Sequence, residues 1–230
     1  MFNFEHVNYD YDATPGLVDL TFTISQGEAV AIMGPNGSGK STLFKILCGL
    51  LKPTNGHYTF DHQEPDLNVI RQSVGLVFQN SDIQLFNDTV AQELAFGPTQ
   101  LGLATEEVDQ RVSDTLALLN IAALRDRVPY QLSGGEKKLV ALGSVLTMSP
   151  QTIILDEPFN GLSIGYQEQL TALFKTLHDH NKTLIISSHD YVKTAPLVDR
   201  VIALNDAHHL ALDAKKAQLT ATQTATLRQL

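Results

Sequence analysis

Residues 29–51 read AVAIMGPNGSGKSTLFKILCGLL. The apolar run at 29–33 suits a buried strand, and apolar residues recur at helical spacing over 41–51. Between them, GPNGSGKST at 34–42 matches G-x-x-x-x-G-K-[ST] in full. Strand before and helix after is the context in which that pattern cradles phosphate. Gly34, Gly37 and Gly39, with Asn36 and Ser38 between them, let the backbone curl so that successive N–H groups converge on an anion. The helix N-terminus adds the positive end of its dipole. Lys40 brings a cation to the β- and γ-phosphates, Ser41 a hydroxyl for Mg²⁺, and Thr42 a donor near the α-phosphate. The loop therefore implies a nucleoside triphosphate with Mg²⁺. Guanine specificity is disfavoured, because Asn181-Lys182-Thr183-Leu184 lacks the aspartate of an Asn-Lys-x-Asp reader.

Outward from the loop, 2–9 and 18–24 alternate as short strands, and VGLVF at 74–78 reads as a buried one. From about 86 to 150 the apolar period turns helical, in 108–124 and 136–148. TIILD (152–156), TLIISS (183–188) and VIALN (201–205) return to apolar strands, with a helix over 165–180. The tail from 214 reads as a short helix with a frayed end. Strands alternating with helices imply an α/β fold with a mostly parallel sheet. We expect one domain over 1–230, with an N-terminal antiparallel β part and a helical subdomain inserted near 86–150.

TIILDEP (152–158) is an apolar strand ending in two acids. Asp156, at the strand's C-terminal end, can hold Mg²⁺ through its water shell. Glu157 can polarise an attacking water.

The 230 residues are 43% hydrophobic and 18% charged, which excludes a disordered or coiled-coil chain. A net charge of −9 argues against general nucleic-acid affinity. A single cysteine, Cys48, excludes a disulfide framework or thiolate zinc site within one chain. The opening MFNFEHVNYDYD has early acids and no apolar centre, so no signal peptide is expected, and no apolar run approaches the about 20 residues of a membrane span. Any membrane role then goes through a partner. The eight histidines, His178, His180, His208 and His209 among them, read as scattered surface residues.

LSGGE at 132–136, between the phosphate loop and the acid pair, resembles the signature of ATP-binding cassette proteins. The resemblance extends over nearly the whole chain. It makes Gln79 the Q-loop glutamine near Mg²⁺, His189 of SSHD the switch histidine at the γ-phosphate, and Tyr11 the aromatic that stacks on adenine, with Tyr9 a near neighbour. It makes Ser133, Gly134, Gly135 and Glu136 an anion site at a helix N-terminus for ATP held by a second cassette chain, identical or a paralogue. Taken from the sequence alone, Ser133 and Glu136 also form an ordinary helix cap. Two departures stand out. Glu136 replaces the family's usual glutamine. Ser163 replaces the aspartate of Gly-Leu-Asp, which weakens the expected coupling between the two sites.

FQNSDIQLFNDTVAQELAFGPTQLGL (78–103) resembles the ATPases of energy-coupling-factor and cobalt/nickel importers, where this stretch docks a transmembrane subunit. The dock falls near 79–97. Leu85, Phe86, Val90, Leu94 and Phe96 read as apolar anchors, and Asp82, Asp88 and Glu93 as an acidic rim. Many such ATPases continue past residue 230, which leaves a shorter cobalt- or biotin-type subunit or a stand-alone paralogue open. The resemblance implies an ATPase on the cytoplasmic face of the cell membrane, powering import of cobalt, nickel or a vitamin. The alternatives are another transporter class or a soluble, non-transport cassette ATPase.

Overall fold

The phosphate-loop strand lies inside its sheet, not at its edge. The computed structural model describes residues 1–12 and 14–229. In chain order the strands are β1 (Phe2–Tyr11), β2 (Thr14–Ile24), β3 (Ala29–Met33), β4 (Asn55–Phe60), β5 (Val74–Val77), β6 (Thr152–Leu155), β7 (Thr183–Ser187), β8 (Arg200–Leu204) and β9 (Leu210–Lys215). The α-helices are α1 (Lys40–Leu47), α2 (Leu67–Ser73), α3 (Val90–Gln100), α4 (Thr105–Leu118), α5 (Gly134–Leu146), α6 (Ile164–Asp179), α7 (Tyr191–Thr194) and α8 (Ala221–Leu227).

One sheet runs β5-β6-β7-β3-β8-β9. Its first five strands are parallel and β9 closes the edge antiparallel to β8. The second sheet, β2-β1-β4, is antiparallel. The chain is an α/β protein with the P-loop NTPase fold.

All five residues of β3 are buried, because both faces of its sheet are covered. Ala29, Ala31 and Met33 face a core shared with α3, α4, α5 and α6. Val30 and Ile32 face the other way, into a core filled by α1 and the aromatic inner face of the antiparallel sheet, Phe2, Phe4, Phe22 and Tyr58. Helix α1 is thus enclosed between the two sheets, with Leu43, Phe44, Ile46 and Leu47 all buried.

The pattern misled at several places. The helix after the phosphate loop stops at Leu47 and does not run to 51, since Gly49 turns the backbone to φ +70. Residues 67–73 form α2, inside the stretch 52–78 whose composition reads as β. Leu210–Lys215, mostly ahead of the tail, forms an unexpected β9 with alternate residues half-buried, and the tail's short helix follows as α8.

Candidate functional site

Parallel pairing brings the site together. Strand β7 lies between β6 and β3, with Leu155 beside Ile186 and Ile32 beside Ser187. The C-terminal ends of β3, β6 and β7 therefore open on one crevice, where α/β sheets bind ligands. The phosphate loop leaves β3, the acid pair leaves β6, and His189 follows β7. They line a cleft of about 260 Å³ with Asn36, Gly37, Gly39, Lys40, Ser41, Thr42, Gln79, Asp156, Glu157, Asn160 and His189 in its wall.

The loop is held open by geometry and closed by its lysine. Gly39 has φ +103, and a Cβ there would meet the carbonyl of Gly16. Lys40, 8% exposed, donates from Nζ to the carbonyl oxygens of Gly34 at 2.7 Å and Pro35 at 3.0 Å. Burial pushes its pKa down, and the charges of Glu157 and Asp156 push it back up. Ser38 is buried at 1% with no hydrogen-bond partner for Oγ among the described residues.

Asp156 is pinned from two strands. Ser187 Oγ donates to Asp156 Oδ1 at 2.6 Å, and Ser41 Oγ donates to Oδ2 at 3.3 Å. Its own N–H donates to Val77 at 3.0 Å. Ser187 Oγ also accepts the N–H of Glu157 at 2.8 Å. Glu157 is 8% exposed with φ +47, the left-handed region that a non-glycine residue occupies only under constraint. His189 Nδ1 lies 2.9 Å from Glu157 Oε2. A carboxylate only accepts, so Nδ1 carries the proton of that bond.

Tyr11, 44% exposed, stands beside the loop, its hydroxyl 3.2 Å from Thr42 Oγ1. Tyr9 packs edge-on against it at 4.8 Å, while Gly16 keeps the space under its ring, where a Cβ would approach to 3.1 Å.

Ser133, Gly134, Gly135 and Glu136 do not join this cleft. They open α5 elsewhere on the surface. Ser133 N–H and Oγ donate to Glu136 Oε2 at 2.8 and 2.7 Å, and Glu136 N–H donates to Ser133 Oγ at 3.4 Å. This is a capping box. These bonds from Ser133 hold the Glu136 carboxyl below its ordinary pKa.

Sequence reasoning missed Ser187, Lys138 and Asn160. Ser187 looks like the end of an apolar run, and its hydroxyl between two acids emerges only from strand pairing. Lys138 is 5% exposed inside α5, a helix apolar on nearly every side. Such a helix is buried all round, so any lysine in it needs internal partners. That was the readable signal.

The stretch 78–97 corrects two expectations. Val90 and Leu94 are 0% exposed and belong to the core. Glu93 is no rim residue. It is 2% exposed, and its Oε2 accepts the N–H of Phe86 at 3.0 Å, of Asn87 at 2.8 Å, and Asn87 Nδ2 at 3.1 Å. Asp82 and Asp88 of the expected rim are exposed. Of the expected anchors, Phe86 at 66% and Phe96 at 43% stay exposed, in edge contact at 4.9 Å. They border a groove of about 560 Å³.

The ABC transporter family pattern matches residues 17–160, more than half the chain. The chain belongs to the ATP-binding cassette family. The nickel import ATP-binding protein LarO of Lactiplantibacillus plantarum is 47% identical over 229 residues, 95% of each protein. The structure of cbiO1 from Clostridium perfringens, part of the ABC transporter complex cbiONQ, superposes with TM-score 0.86 at 33% identity, covering 98% of this chain and 92% of that one. A dimeric cassette in a post-hydrolysis state with ADP and Pi superposes with TM-score 0.83 at 28% identity, covering 94% and 99%. This cassette is an ATPase that binds and hydrolyses ATP. No helix among its described residues is long and apolar enough to cross a membrane.

Proposed function

We propose that this cassette is the ATP-hydrolysing subunit of an energy-coupling-factor-type importer, working at the cytoplasmic face of the cell membrane. The importer relatives favour nickel or cobalt as the cargo over a vitamin. The observation that carries the reading is the exposed Phe86–Phe96 pair beside its groove, with Phe96 on α3 and Phe86 on the loop that Glu93 holds. A large exposed aromatic pair over a concavity is what a transmembrane subunit needs for docking near 79–97.

In this reading ATP sits on the phosphate loop. Tyr11 stacks on adenine, and the N–H groups of residues 34–42 with Lys40 hold the phosphates. Lys40 Nζ, which bonds loop carbonyls, is within the same cleft as those phosphates. Ser41, Asp156 and Gln79 offer only oxygen donors for a metal, and the first two are 3.3 Å apart. That set fits Mg²⁺, which prefers oxygen and keeps much of its water. Mg²⁺ would offset charge on the β- and γ-phosphates. Glu157 accepts a proton from the attacking water, and His189, bonded to Glu157, reaches the γ-phosphate. Gln79 reports the nucleotide to the docking loop. Ser133, Gly134, Gly135 and Glu136 meet the ATP of a second chain, a copy or a paralogue, so two ATPs are sandwiched head to tail.

The test is recovery of partners. Tagged chain is drawn from membranes in mild detergent and its companions are identified by mass spectrometry. The expected result is a large transmembrane protein with a smaller membrane protein, both lost with Phe86→Asp. Soluble factors alone, or membrane proteins that Phe86→Asp retains, would refute the docking assignment.

A further inference from the structure

Lys138 has no part in the nucleotide cleft, yet it is among the most buried charges of the chain. It is 5% exposed. Its Nζ donates to the carbonyl oxygen of Glu157 at 3.0 Å and of Asn160 at 3.2 Å. Both bonds go to backbone, so their purpose is to fix the path of the chain just after β6. That path includes the left-handed Glu157 residue at φ +47. A second bond holds the same residue through its N–H, which donates to Ser187 Oγ at 2.8 Å. Burial lowers the Lys138 pKa, while the Glu157 and Asp156 charges raise it.

The helix that supplies Lys138 is the one opened by Ser133. Lys137, next in line, pairs with Asp82 at 2.6 Å, and Gln84 donates to the Ala141 carbonyl at 3.1 Å. One rigid helix thus grips the loop that follows β5 on one side and the backbone of Glu157 on another.

We propose that Lys138 is a positioning residue for hydrolysis: it sets the left-handed backbone of Glu157 from α5 and so aims its carboxylate at the attacking water. The proposal rests on the reading of Glu157 as the residue that takes the water's proton. An ammonium suits the task, since one Nζ can serve two carbonyls at once without filling the space of a guanidinium.

Full-length chain is assayed for MgATP hydrolysis as Lys138→Met, Glu157→Gln and the double variant, with nucleotide affinity measured alongside. Methionine keeps the stem and removes the donors. A misaimed carboxylate lowers kcat by about 10- to 100-fold, with KM and ATP affinity little changed. In the Glu157→Gln background, Lys138→Met adds no further loss to single-turnover hydrolysis, because it acts through Glu157. Lys138→Arg recovers part of kcat. Native kcat in Lys138→Met overturns the proposal. So does an equal fold-loss in both backgrounds, which marks a merely structural lysine. If Lys138→Met does not fold, Lys138→Gln, which is shorter and uncharged, is read in the same way. A Glu157→Gln chain that hydrolyses at the native rate refutes instead the role given to Glu157; a slow one beside a native-rate Lys138→Met refutes only the role of Lys138.

Discussion

Replacing Ser187 by alanine removes one hydroxyl and strands two groups. Ser187 is 0% exposed. Its hydroxyl donates to the Asp156 carboxylate at 2.6 Å and accepts the Glu157 N–H at 2.8 Å. A hydrogen bond to a charged group contributes about 1.5–3 kcal/mol, and a buried donor left unpaired costs about 1–3 kcal/mol. Asp156 keeps Ser41 and is only half-buried, so the first figure belongs at its lower end. The sum is about 2.5–4.5 kcal/mol. For a chain of 230 residues, each kcal/mol moves Tm by about 2–4 °C, so Ser187→Ala should melt roughly 5–18 °C lower. Guanidinium titration at 25 °C measures the free energy and a thermal melt the Tm, both followed by circular dichroism. The cycle with Asp156→Asn should show a coupling of about 1 kcal/mol or more, since the pair shares a bond. A loss under about 0.5 kcal/mol, or strict additivity with Asp156→Asn, would refute the argument that this serine holds the acid pair.

Two further outcomes follow from ionisation. Burial raises the Cys48 thiol to about 12, so the native chain should react negligibly with a thiol-specific disulfide reagent at pH 8, and promptly once unfolded in guanidinium; fast native labelling refutes it. The Glu136 carboxyl is held low by Ser133, so its capping box adds stability above the ordinary glutamate range and loses it as pH falls through the lowered value. Amide chemical shifts at the start of α5 should titrate below that range in the native chain and stay flat in Glu136→Gln; a native titration at ordinary glutamate pH contradicts the bonds.

The phosphate loop was readable because its logic is local. Nine consecutive residues, 34–42, carry their own turn and donors. The acid pair was readable because an apolar strand ends on it. The groups that aim those acids were not, because each comes from another strand or helix. Ser187 is 30 residues from its Glu157 partner, and Lys138 is 19 away. Glu93 misled for the same reason. In an amphipathic pattern a glutamate among exposed neighbours reads as surface, and only the folded loop shows three donors around it. Strand β9 hid in Leu-Ala-Leu-Asp-Ala-Lys, whose composition suits a polar tail but whose register against β8 buries every second residue partway. Helix α2 buries only Ile70, which is too little to show a period.

The position of β3 bears on how the chain is made. Its two neighbours are β7 and β8, where Ala29 meets Leu184 and Val30 meets Arg200. Synthesis runs from the N-terminus, so the all-apolar strand that carries the phosphate loop leaves the ribosome with neither edge partner in existence. At about 5–20 residues per second, that interval lasts on the order of ten seconds or more. Both edges of a sticky strand stay open throughout, a hazard for wrong pairing with other chains. The antiparallel sheet and α1, complete by Phe60, can cover one face early, but the ladder itself waits for the last third of the sequence. A nascent chain halted before Thr183 has its phosphate loop and its acid pair, yet lacks the strand that stands between them.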